Sequence, residues 1–250
     1  MYYYGGIAML VVGLGGLLFC QKQQRVNPIM QQVAYVFGLV MIIGFGFVLY
    51  ARLGGGEERE ARENEMLFLY SRSAAAGKCL KAAAPGKKVL FITSPKWDAE
   101  PTRKEQVDAQ VKAFKDAYGS GDVIVDSIEV PKNFDEEGSA VEDIMTVKEF
   151  KALFAKHPGI GAVVTDIGLP ERSASLFNAK DAPVVFLLNQ GRVEGKVVKA
   201  LFKKGKIVGM VSYKNKADYD APANEDDLLE SFKIRYELVD GSNYTKFQLD

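Results

Sequence analysis

The chain has 250 residues, with 32 basic and 32 acidic side chains and a formal net charge of zero. That balance leaves no overall field to draw nucleic acid, and the lysines alternate with acids instead of forming a basic stripe, so nucleic acid is not an expected partner. Two cysteines and one histidine exclude a disulfide scaffold and a cysteine–histidine metal site.

Residues 2–20 and 30–50 are two long apolar runs, with Lys22 and Arg25 the charges between them. At about 1.5 Å per residue, each reaches across a bilayer core of roughly 30 Å. The expectation is a transmembrane hairpin over residues 1–53. A cleaved signal peptide is disfavoured because Tyr2, Tyr3 and Tyr4 stand where a basic segment belongs. A lipidated Cys20 is disfavoured by the bulky Phe19 before it. Small residues recur in both runs (Gly5, Gly6, Ala8, Gly13, Gly15 and Gly16, then Ala34, Gly38, Gly44 and Gly46), which suits close helix packing within the hairpin or against a second membrane protein. The basic loop at 21–29 favours an extracytoplasmic soluble domain, whereas Arg52, Arg59 and Arg62 point the other way. The balance leans slightly toward the periplasmic side.

Gly54, Gly55 and Gly56 are expected to break the second helix. Residues 54–86 then read as a helical, alanine-rich tether stopped by Pro85 and Gly86, packing Met66, Phe68 and Leu69 on the domain or at lipid. A short dimerising coiled coil is the alternative.

From residue 87 to 250 short apolar runs alternate with amphipathic segments, the pattern of a parallel sheet covered by helices. Strands are expected at 89–93, 123–130, 160–165, 183–188 and 207–213. Helices are expected after Glu100, after Thr146 with its capping-box Glu149, at 173–178, at 191–204 and after Asn224. Segments 234–239 and 244–249 flank a hairpin-like turn at 240–243. The fold class is α/β, an open flavodoxin-like or Rossmann-like sheet of about five strands in the order 2-1-3-4-5, set by right-handed crossovers.

Residues 88–190 resemble the first lobe of type I periplasmic sugar-binding proteins, through the strand at 89–93, the segment 157–164 and the strand at 182–188. Segment 195–213 is similar to their crossover into a second lobe, although fewer residues follow Tyr213 than such a lobe needs. The resemblance implies binding of a sugar or other small ligand. A fainter resemblance to response-regulator receivers rests on Asp166-Ile167-Gly168-Leu169-Pro170. The chain departs from that pattern where Thr93-Ser94-Pro95-Lys96 replaces an acidic pair and Asn189 replaces a small hydroxyl.

In open α/β sheets, ligands settle beyond the carboxyl ends of the strands. Those ends give a candidate ligand rim of Ser94, Trp97, Asp98, Asp166, Asn189 and Gln190, flanked by Thr93, Thr165, Lys214 and Asn215. No catalytic constellation, metal set or cofactor motif emerges; Gly13 to Leu18 lacks the third glycine of a dinucleotide fingerprint. The acidic run 135–143 lacks the carboxylate spacing of a calcium loop. His157 is read as a helix-end or solvent-facing residue. The sequence favours a non-enzymatic module held in a lipid bilayer, with a homo-oligomer, a membrane-protein partner or a small ligand. The rival is a flavodoxin-like enzyme using Ser94, Asp98 and Asp166.

Overall fold

The computed structural model describes residues 2–23, 29–53, 56–95, 98–119, 121–129 and 141–247. The chain divides into two compact units, Met1–Glu63 and Asn64–Asp250.

In the first unit, α1 (Tyr2–Gln23) and α2 (Ile29–Leu53) pack against each other through glycine. A Cβ at Gly13 would lie 2.5 Å from Met41 Cγ, and one at Gly44 would lie 2.8 Å from Met9 Cβ. Both helices are long and apolar enough to cross a membrane. Gly5, Gly15 and Gly46 meet no neighbouring atom in the same sense, so the small residues divide between a packed seam and an outer face.

The second unit is built on a six-stranded sheet of order β2-β1-β3-β4-β5-β6. Its strands are β1 (Val89–Thr93), β2 (Val123–Ser127), β3 (Ala162–Thr165), β4 (Val184–Leu187), β5 (Ile207–Tyr213) and β6 (Tyr236–Asp240). The first five are parallel and in the anticipated order. Alternation along each strand sends Leu90, Ile92, Val163, Val185 and Leu187 to one face. Val89, Phe91, Val164, Phe186 and Leu188 go to the other. Strands buried on both faces read as unbroken apolar runs, which made β1, β3 and β4 legible.

Helices α6 (Val147–Lys156) and α7 (Gly195–Lys203) cover the first face with Phe150, Leu153, Val198 and Leu201. Thr146 accepts a hydrogen bond from the Glu149 amide and caps α6 as its spacing implies. Between them in the chain, Ser173–Phe177 forms a 3₁₀ turn. The opposite face carries α3 (Gly56–Ala83), α4 (Pro101–Tyr118) and α8 (Leu228–Arg235) through Phe68, Ala76, Leu80, Val111, Phe114 and Phe232. A short α5 (Val141–Ile144) completes the set.

Residues 64–83 group with the α/β unit, with Phe68, Ala76 and Leu80 fully buried, so of the two packing sites expected for the helical segment Phe68 takes the domain. The cause is Gly77, whose missing side chain lets α3 approach α4 until a Cβ would meet the Phe114 carbonyl at 2.5 Å. Next, α8 is capped by Asp227, whose carboxylate accepts from the Leu229 and Glu230 amides, while Asn224 turns the chain just before it. Finally, the expected second strand of the C-terminal hairpin is not formed among the described residues, which end at Phe247. The turn at 240–243 is present, closed by Asn243 against the Asp240 amide and the Leu238 carbonyl. The chain then leaves as a 3₁₀ turn because Tyr244 stacks on Phe202 of α7, 5.2 Å between ring centroids. β6 instead pairs antiparallel with β5.

Candidate functional site at the carboxyl edge of the sheet

The polar residues at the strand ends fall into one ordered group and several isolated positions. Thr93 is buried at the end of β1, Ser94 beyond it is half-buried, and Asp98 is exposed. Trp97 lies outside the described residues, as does most of the acidic run at 135–143. Beyond β3, Thr165 Oγ1 donates to the Gly168 carbonyl at 2.9 Å and the Asp166 amide donates to Ile92 O at 2.9 Å. The loop after β3 is pressed onto the loop after β4. Gly168 and Gly191 both adopt positive φ, and a Cβ on Gly168 would meet the Gly191 nitrogen at 2.3 Å. Only glycine allows that approach.

Asn189 is exposed and its Oδ1 accepts from the Gly191 amide at 3.2 Å. Gln190 Nε2 donates to the Val193 carbonyl at 3.1 Å. These two rim residues shape their own loop. Lys214 Nζ donates to the Lys233 carbonyl, and Asn215 is exposed.

Asp166 is different. Its Oδ1 accepts from Arg72 Nη2 at 2.8 Å, and Arg72 comes from α3. The three helical turns from Ala83 back to Arg72 span about 16 Å, and the five residues of β1 rise about 16 Å. Because Pro85 and Gly86 reverse the chain between them, Arg72 stands level with the carboxyl edge. Sequence reasoning missed it by assigning residues 54–86 to a tether. The available signal was a lone charge inside Ser71-Arg72-Ser73-Ala74-Ala75-Ala76, since a charge among small residues on a packed helix needs a partner.

A second buried arginine lies on the same face. Arg235, 1 % exposed, donates from Nη1 to Glu65 Oε1 and from Nη2 to the Tyr219 carbonyl, both at 2.6 Å. Its guanidinium rests 3.5 Å above the Phe68 ring. Asn64 secures the same segment, donating to Ala221 O and accepting from the Ala223 amide. Tyr236 packs on Phe68, Tyr213 and Phe232. Burial pushes its phenol up to about 12, with Tyr213 and Glu65 adding to the rise and the charges of Arg72 and Arg235 opposing it.

His157 does not face solvent. Its Nε2 lies 2.6 Å from Asp126 Oδ2, and Lys156 Nζ reaches the same oxygen at 2.7 Å. Burial pushes the Asp126 carboxyl up, but hydrogen bonds from Lys156, His157 and the Ser127 amide outweigh it and hold it below the ordinary carboxylate value.

No family model and no curated protein matches the chain. Among solved structures it is similar to GanP, a glucose-galactose binding protein from Geobacillus stearothermophilus. Identity there is 13%, over 70% of this chain and 61% of that one, with a TM-score of 0.44. AraP, an arabinose binding protein from Geobacillus stearothermophilus, gives 15% identity over 72% and 63%, with a TM-score of 0.43. A solute binding protein from Burkholderia graminis, in complex with D-arabinose, gives 12% over 72% and 62%, with a TM-score of 0.43. The likeness is thus, at low identity, to the class that the strand pattern resembles. This chain spans about three fifths of the length of each.

Proposed function

We propose that this chain is a membrane-anchored, non-enzymatic binding or assembly module, whose α/β unit engages a protein partner or a small ligand at the carboxyl edge of its sheet. The observation that carries the anchoring is the exposure of large apolar side chains along α1 and α2, among them Val11 at 66 % and Ile42 at 71 %. A water-soluble surface does not sustain an apolar patch of this extent, whereas lipid does. The sheet edge supports binding over chemistry. Asp166 has one oxygen engaged by Arg72 at 2.8 Å, a pairing that fixes its carboxylate at the edge. The slight lean toward an extracytoplasmic domain stays part of this reading.

The test is alkaline carbonate extraction of membranes from cells expressing the full-length protein, followed by pull-down in mild detergent. The anchored module is expected to remain in the pellet and to recover a stable partner or a second copy. Release into the supernatant with an intact amino terminus overturns the anchoring. Recovery as a lone monomer overturns the assembly half of the reading.

A further inference from the structure

Arg72 is a full charge held inside the protein with most of its bonding capacity idle. The residue is 9 % exposed, and a guanidinium carries five N–H donors. Among the described residues one is used, from Nη2 to Asp166 Oδ1 at 2.8 Å, and Nε is buried without an acceptor. Buried donors in native folds are ordinarily paired, so an idle one asks for an occupant. Asp166 is the complement: its Oδ1 is engaged by Arg72, Oδ2 takes no hydrogen bond from the described residues, and 30 % of the side chain stays open to solvent. The pair therefore offers idle donors beside an idle acceptor, with the Asp166 side chain the more open of the two at 30 % against 11 %. It also stands where ligands collect in sheets of this kind.

The charges choose among ligands. A simple anion satisfies Arg72 and is repelled by Asp166; a simple amine does the reverse. A neutral polyol meets both charges and compensates neither. A molecule with a carboxylate and an ammonium a few ångströms apart matches the pair group for group, with charge-assisted bonds on both sides. We propose that Arg72 and Asp166 are the recognition pair for a zwitterion, a free α-amino acid, whose carboxylate meets the Arg72 guanidinium and whose ammonium meets Asp166 Oδ2. This rests on reading the α/β unit as a binding module and supplies its ligand class. It also gives α3 a part in the site that its place in the sequence conceals.

The test uses full-length protein in detergent micelles. The common L-α-amino acids are offered one at a time in thermal-shift and calorimetric titrations, beside acetate, ethylamine, inorganic phosphate and D-galactose. At least one amino acid is expected to bind saturably at one site. Its N-acetyl and methyl-ester derivatives are each expected to bind at least about tenfold more weakly, because each removes one charge. Asp166→Asn and Arg72→Lys are expected to weaken binding by about tenfold or more while the free protein still melts cooperatively. Binding of no amino acid, equal binding of the blocked derivatives, or binding of D-galactose alone overturns the proposal. Full affinity in both variants overturns it as well. If the variants do not fold, the blocked ligands decide on the unaltered protein. Retention in the membrane pellet with a recovered partner, but no amino-acid binding, leaves the anchored module standing and removes this inference.

Discussion

Asp126 accepts from Lys156 and His157 near the end of β2, so its carboxylate form is favoured in the folded state. A carboxyl lowered on folding adds stability that is complete above its unfolded value of about 3.9 and is lost as the pH falls through the lower folded value. Asp126→Asn is therefore expected to cost about 1–2 kcal/mol at neutral pH, and the gap from the unaltered protein should narrow below about pH 4. Denaturant melts at pH 7 and pH 3 measure this; an equal gap at both values contradicts it. Partnerships of this sort explain what was and was not legible at single positions. Asp166 was found because a polar residue after a buried strand marks a sheet edge. Arg72 was not, since its partner is 94 residues away. His157 was read from its helix-end position alone, while its environment is set by a strand 31 residues earlier. Asn189 and Gln190 follow β4 at the sheet edge, yet their side chains hold their own loop, a distinction that composition does not carry.

At the level of elements, the sheet was readable and α3 was not. Four-to-seven-residue apolar runs separated by amphipathic helices fix parallel strands, and handedness then leaves few orders. The part of α3 in the α/β unit shows no broad apolar stripe, because it packs through Ala75, Ala76 and Gly77. Small side chains bring helix axes close without raising the hydrophobic signal that sequence reading depends on. The same feature makes a sharp prediction. Gly77→Leu would drive side-chain atoms into the Phe114 carbonyl and Ala117 and is expected to destabilise the fold by about 1–3 kcal/mol. Gly205→Asn, at a helix end with positive φ and open space around it, should cost less than about 1 kcal/mol. Chemical denaturation of the two variants compares them; equal losses would contradict the close α3–α4 contact.

For the whole molecule, the division between Glu63 and Asn64 sets where the chain can be cut. A fragment 64–250 keeps Phe68, Leu80, Arg72 and Asn64 with their partners and is expected to be recovered without detergent and to melt in one transition. A fragment beginning at residue 87 strips a helix from the face formed by Phe91, Val164 and Phe186, and is expected to aggregate or to lack cooperative unfolding. Circular dichroism and light scattering on both fragments decide the matter. A well-behaved 87–250 would mean that α3 is dispensable to the core.

Because Arg235 clasps Glu65 across 170 residues of chain, the first core helix is synthesised long before its last fastener. At about 5–20 residues per second, Phe68 and Leu80 wait roughly 10–30 s with their final neighbours unmade. During that interval Phe68 lacks Phe232 and Tyr236, so the face they share closes only once α8 and β6 have been made.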